Sequence, residues 1–133
     1  MTITNCSLLS GNFTYDLRLV DGESRYDGRV EIRRNGGPWG SIRSQIWSSK
    51  HASIACSSMG FSSSVLKTDI GMRPATTGPV HLFLFWCPSS AQFLHECSTS
   101  PWDDNGHIDD HIEEIGVTCL PSKEIDTICV FII

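Results

Sequence analysis

No segment of this 133-residue sequence is apolar for long enough to cross a bilayer as a helix. The terminal ICVFII runs for six residues, against the ~20 a spanning helix needs, and reads as a terminal strand or the first residues of something longer. The opening MTITNCSLLSGNF has neither a basic n-region nor an apolar h-region, so it does not read as a signal peptide, and the chain is expected to be a piece of a longer protein. Internal repeats and low-complexity tracts are absent. With 40% apolar and 19% charged residues, a folded core is expected rather than disorder. The length suits one domain. There is no excess of positive charge either: the net charge is −5, which argues against a dedicated nucleic-acid binder. No GxSxG and no HExxH occurs, so neither a serine hydrolase nor a zinc protease is indicated.

The six cysteines, Cys6, Cys56, Cys87, Cys97, Cys119 and Cys129, include no CxxC pair. An even set so spaced suits disulfides better than zinc. Two glycosylation sequons begin at Asn5 and Asn12. Together these features place the chain in an oxidising, extracellular or cell-surface setting.

Charge is unevenly spread. Residues 1–50 hold seven of the ten Lys and Arg, whereas residues 103–126 hold eight acids and one lysine. Two electrostatic faces are expected.

Alternation in YDLRLVDG (15–22) and GRVEIRR (28–34) predicts two strands. In the second, Val30 and Ile32 face one way, and Arg29, Glu31 and Arg33 the other. NGGPWGSI then predicts a turn and a strand over 38–42, completing an antiparallel meander. The period changes in KHASIACSSMGF (50–61), where Ala52, Ile54, Ala55, Cys56 and Met59 share one face of a helix and Gly60 fits its C′ position. SSVLKTDI (63–70) predicts a short strand, GPVHLFLFWC (78–87) a buried central strand, SSAQFLHEC (89–97) a helical turn capped by Ser89 or Ser90, and IGVTC (115–119) a closing strand.

The ordered words LRLVDG, GRVEI, WGSI, ASIACSSMGF, GPVHL, LHEC and EEIGVTC resemble the scavenger receptor cysteine-rich domain over residues 17–119, with extensions at 1–16 and 120–133. The resemblance implies a compact α+β fold, a curved antiparallel sheet cradling one main helix. It also implies disulfides Cys56–Cys119 and Cys87–Cys97. Cys6 and Cys129 fall outside the family pattern; they either pair with each other or with neighbouring modules.

Relatives carry a cysteine where this chain has Arg43, and its partner where this chain has Asp109. A salt bridge between the two is the expected replacement. Several relatives bind a divalent cation through two aspartates and a glutamate. Here the aspartate positions are Ser44 and Gln45, and only Glu113 and Glu114 remain of the acids, which puts the usual calcium site in doubt. The loop DDNGHIDDHIEE, with Asp103, Asp104, Asp109, Asp110, Glu113 and Glu114, offers ligands for a weak Ca2+ ion; no other cofactor is expected. Its His107 and His111 are four apart but lack a zinc-enzyme context.

Relatives use arginine-containing faces to bind polyanions, which implies Arg25, Arg29, Arg33 and Arg34 as ligand-binding residues here. GRVEIRRNGGPW also resembles a bacteria-binding segment of some members, with Arg33 where an aliphatic residue is usual. Trp39 and Trp47 match core positions of the family pattern, while Trp102, in the polar SPWDDN, is the candidate for an exposed partner contact. His51, His81 and His95 read as surface or packing residues. The expected function is non-catalytic recognition of polyanionic, microbial or protein ligands, with membrane attachment only through parts of the protein outside this chain. The alternative is an accessory domain of a larger mosaic protein.

Overall fold

The computed structural model describes residues 6–10, 12–72, 78–104, 114–122 and 129–132. The strands are β1 (Cys6–Ser10), β2 (Phe13–Val20), β3 (Asp27–Arg34), β4 (Gly40–Ser44), β5 (Val65–Ile70), β6 (Val80–Trp86), β7 (Ser98–Thr99), β8 (Ile115–Cys119) and β9 (Cys129–Ile132). One helix, α1 (Ser49–Ser58), follows β4. The sheet runs β7-β6-β4-β3-β2-β1-β9, and β8 joins β3 to β5. The α+β class expected from the sequence holds.

The sheet is mixed rather than antiparallel. β4 pairs with β6, and β1 with β9, in parallel. Parallel neighbours need a long crossover; α1 and β5 supply one between β4 and β6, and the rest of the domain separates β1 from β9. In that second pair the backbone register sets Cys6 opposite Cys129.

β3 is the true central strand, bonded to β2, β4 and β8. β6, expected at the centre, has only the two-residue β7 beyond it, and its Phe85 and Trp86 are exposed. A continuous apolar run marks a strand without marking how many of its faces are covered. The expected helical turn at 89–97 shrinks to a 3-10 turn, Leu94–Glu96. Its cap is neither Ser89 nor Ser90; the Glu96 carboxylate accepts from the N–H groups of Gln92 and Phe93, both at 3.2 Å.

The helix face Ala52, Ile54, Ala55, Cys56 and Met59 is buried as its spacing requires. Gly60, at φ +81°, ends it in a Schellman arrangement: Phe61 N–H donates to Cys56 O at 2.9 Å and Gly60 N–H to Ser57 O at 3.0 Å. Val30, Ile32, Ile42, Leu84 and Val117 form the sheet side of the core. Disulfides join Cys56 to Cys119 (S–S 2.03 Å) and Cys87 to Cys97 (2.13 Å), the first tying α1 to β8.

Candidate functional site: an arginine and aromatic face

The β2–β3 register sets Asp16 opposite Arg33, Arg18 opposite Glu31 and Val20 opposite Arg29. Opposite charges on facing positions meet across the strands. Arg18 donates from Nε and Nη2 to Glu31 Oε1 at 2.9 and 2.7 Å, and Arg33 Nε donates to Asp16 Oδ2 at 2.8 Å. Arg29 Nη2 reaches Asp21 Oδ2 at 2.7 Å and Glu31 Oε2 at 3.4 Å.

Burial separates these arginines. The side chain of Arg29 is 4% exposed and that of Glu31 8%, whereas those of Arg18 and Arg33 are 43% and 34% exposed. β3 is therefore covered on both faces along most of its length. Arg29, expected on a ligand surface, is instead an internal ion-pair residue, because the layer covering its face cannot be read from period-2 alternation.

Trp39 precedes β4 and is half-buried, not in the core where its family position placed it. The guanidinium groups of Arg18 and Arg33 lie over its ring, 4.2 and 4.6 Å from the centroid. Each such contact is worth about 0.5–1 kcal/mol at an exposed site. Trp47, by contrast, is buried in the core as expected.

A second cluster forms where β2 begins and β3 ends. Arg34 lies over Phe13 at 4.4 Å and Trp102 at 5.1 Å, with Asp104 at 3.8 Å. Trp102 stacks on His81 with centroids 4.4 Å apart, meets Tyr15 edge-on at 5.7 Å, and donates from Nε1 to Asp104 Oδ1 at 2.7 Å. It is half-buried, not a free surface ring. Packing against His81 covers one face of the indole. His81 is itself 1% exposed, its ring nitrogens 2.6 Å from Asp103 O and 2.9 Å from Pro38 O. Gly40 makes room for this ring, since a Cβ there would collide with it.

Arg25 lies in the β2–β3 loop, at the opposite end of the hairpin from Arg34. It is exposed and covers Tyr26 at 4.8 Å. The structure thus brings Arg18 and Arg33 together over Trp39, places Arg34 beside Trp102, and leaves Arg25 apart.

Arg43 is half-buried on β4, 5.7 Å from the Phe83 ring centroid and bridged through the backbone to Glu114. Its expected partner Asp109 lies outside the described residues, as do Asp110, Glu113, His107, His111 and Asn5. Asn12 is exposed, between β1 and β2. Ser44 is fully buried, its hydroxyl donating to Leu84 O at 3.3 Å, so this family cation-ligand position points into the core. Gln45 beside it is exposed. Of the acidic loop, Asp103 and Asp104 are exposed and Glu114 is buried; among the described residues no cluster of three potential metal ligands occurs.

Ser48 Oγ lies 2.8 Å from His51 Nδ1 at the start of α1. Burial, and then the neighbouring Lys50, lower the His51 pKa from the usual histidine value. Ser48 occupies the N-cap position with extended backbone, but its hydroxyl makes no cap hydrogen bond and faces His51 instead.

Sequence reasoning missed Arg18, although LRL places it out of phase with the apolar Leu17 and Leu19. The signal that identifies it is the pairing register, which a single strand does not encode.

The family model described as "Scavenger receptor cysteine-rich domain" matches residues 20–120. A "Scavenger receptor cysteine-rich domain superfamily protein" of Patiria pectinifera is 32% identical over 112 residues, 84% of this chain and 10% of that protein's length. The third such domain of murine neurotrypsin superposes with a TM-score of 0.60 at 31% identity, over 79% of this chain and 95% of that one. The dimeric form of the mouse MARCO domain shares the fold, with a TM-score of 0.55 at 23% identity, covering 84% and 91%. A match over most of the sequence, carried through to the fold, makes this chain a member of the scavenger receptor cysteine-rich domain family.

Proposed function

We propose that the chain is a non-catalytic extracellular recognition module that binds polyanions through Arg18 and Arg33 on Trp39. Domains of this family are generally non-catalytic binding modules of receptors and typically extracellular. Among the described residues no helix is long and apolar enough to cross a membrane. The supporting observation is the pair of guanidinium groups over one indole ring, half-exposed and already oriented. A guanidinium carries five N–H donors, and stacking leaves its edges for sulfate, phosphate or carboxylate oxygens. Sulfated polysaccharides and anionic microbial surfaces present such groups in series, as do acidic protein segments.

One observation favours a second reading, an accessory domain that positions its neighbours. Arg18, Arg29, Arg33 and Arg34 each already have a carboxylate partner, and the chain spans 10% of the length of its Patiria relative.

Heparin binding at low salt separates the two. The first reading expects binding that weakens on adding salt and falls several-fold in the Arg18→Gln, Arg33→Gln double variant. Indifference to heparin and to lipopolysaccharide in low salt would leave only the accessory role.

A further inference from the structure

The strand face that carries Val30 and Ile32 ends in Arg34, two residues beyond Ile32 and therefore on the same side of β3. The same side of the sheet carries a pocket of about 200 Å³, which Ile32 lines. Its floor is the buried Ile32, Ile42, Leu84 and Leu94, and its walls include the half-buried Tyr15 and Trp102. An apolar cavity of ~150 Å³ accepts a benzene ring in a protein core, so this volume suits one ring or a short branched chain. It is too small for a drug-sized molecule.

A charge lies beside one wall of the pocket: the Arg34 guanidinium is over Trp102, 5.1 Å from the ring centroid, while its backbone is the register partner of Tyr15, another wall. Its carboxylate neighbour, Asp104, is 3.8 Å away, beyond hydrogen-bond distance, and its side chain is 72% exposed. An exposed pair of that length holds weakly. A ligand carboxylate entering with its ring in the pocket would compete for Arg34 with an Asp104 that is itself anchored by the Trp102 indole N–H at 2.7 Å.

We infer that this pocket binds a small amphiphilic anion, one apolar ring or short branched chain bearing a carboxylate or similar group, with Arg34 meeting the anion in exchange for Asp104. This site lies across the sheet from the Arg18, Arg33 and Trp39 surface, so it adds to the polyanion reading instead of depending on it.

The probe is phenylacetate, compared with the neutral phenylacetamide and with acetate, followed by methyl and indole NMR shifts in the 133-residue chain. Phenylacetate is expected to shift Ile32, Ile42 and Leu84 methyls and the Trp102 indole, binding about threefold tighter than the amide. Acetate should leave the methyls unmoved. Arg34→Gln should remove the preference for the acid while the amide still binds, and Asp104→Asn should strengthen phenylacetate binding alone. Both variants alter half-buried or exposed side chains and leave the core intact. Absence of methyl shifts up to the solubility of phenylacetate would overturn the inference, as would equal binding of acid and amide in the parent chain. Loss of heparin binding in the Arg18→Gln, Arg33→Gln variant with phenylacetate binding intact would separate the two sites.

Discussion

Replacing Glu31 by alanine tests whether the charges on β3 hold the fold or serve a ligand. Glu31 Oε1 accepts two bonds from Arg18, and Oε2 faces Arg29. The Arg29 side chain is 4% exposed, and Asp21, its other carboxylate neighbour, is 57% exposed at 2.7 Å. Breaking a buried ion pair by removing one partner costs about 3–5 kcal/mol, because the remaining charge stays buried. Asp21 offsets part of this from the solvent side, so Glu31→Ala is expected to cost about 2–3 kcal/mol. Followed by tryptophan fluorescence in urea under oxidising conditions, the midpoint should fall by roughly 1–2 M. The double variant Arg29→Met, Glu31→Leu should recover most of that loss, since two apolar side chains of similar volume leave no buried charge behind. A cost below about 1 kcal/mol for Glu31→Ala would refute the reasoning. Arg29 would then reach solvent, and its place on a ligand surface would have to be restored.

Three further outcomes are expected. In the chain-entropy picture the Cys56–Cys119 bond, with a sequence separation of 63, stabilises by about 4 kcal/mol, and Cys87–Cys97, with a separation of 10, by about 3 kcal/mol. Paired alanine variants should therefore rank in that order in urea, and the reverse order would show that loop closure is not the main contribution. The same non-reduced samples, digested and mapped, should yield a peptide linking Cys6 to Cys129, whose backbone positions are register partners; alkylation of both thiols would exclude it. His51 has its pKa lowered by burial and by Lys50. As pH falls below about 6.5 the unfolded chain takes up this proton first, so the stability contributed by the neutral ring is present above that pH and lost below it. His51→Gln should flatten the fall in stability as pH drops below about 6.5; an unchanged slope would assign it to other groups.

The helix and the strands around it were legible because each is a local pattern. Five apolar positions at helical spacing and a glycine at C′ determine α1 without reference to any other segment. Alternation in LRLVDG and GRVEI determines two strands equally well. What alternation does not carry is which strand lies beside which, so the parallel β4–β6 and β1–β9 pairs were not foreseen. The same gap explains the site. Arg29, Glu31 and Arg33 share a face as period 2 requires, yet Arg29 is covered and Arg33 is not, because cover depends on segments far away in sequence. Trp39 was assigned to the core by its place in a family pattern. The pattern identifies the residue but not that the two cations above it, from β2 and β3, belong to this chain's own surface chemistry.

On the proposed reading, those two cations are the means by which a chain of net charge −5 would recognise anions. A free surface arginine loses about 2 kcal/mol of rotamer entropy on being fixed by a ligand. Arg18 and Arg33 have surrendered part of that freedom already, each held by a carboxylate at the Nε edge and by the Trp39 ring on its face. The partner carboxylates Asp16 and Glu31 also cancel the long-range field, so the face cannot attract anions from a distance as a basic patch does. Recognition there must come from short-range geometry, with oxygens in reach of two oriented guanidinium edges at once. The consequence is a shallow salt dependence, a log–log slope of about −2 for two contacts, where a diffuse basic surface would give a steeper one. Sulfate groups at fixed spacing meet that requirement, and a flexible polycarboxylate of the same charge density meets it less well.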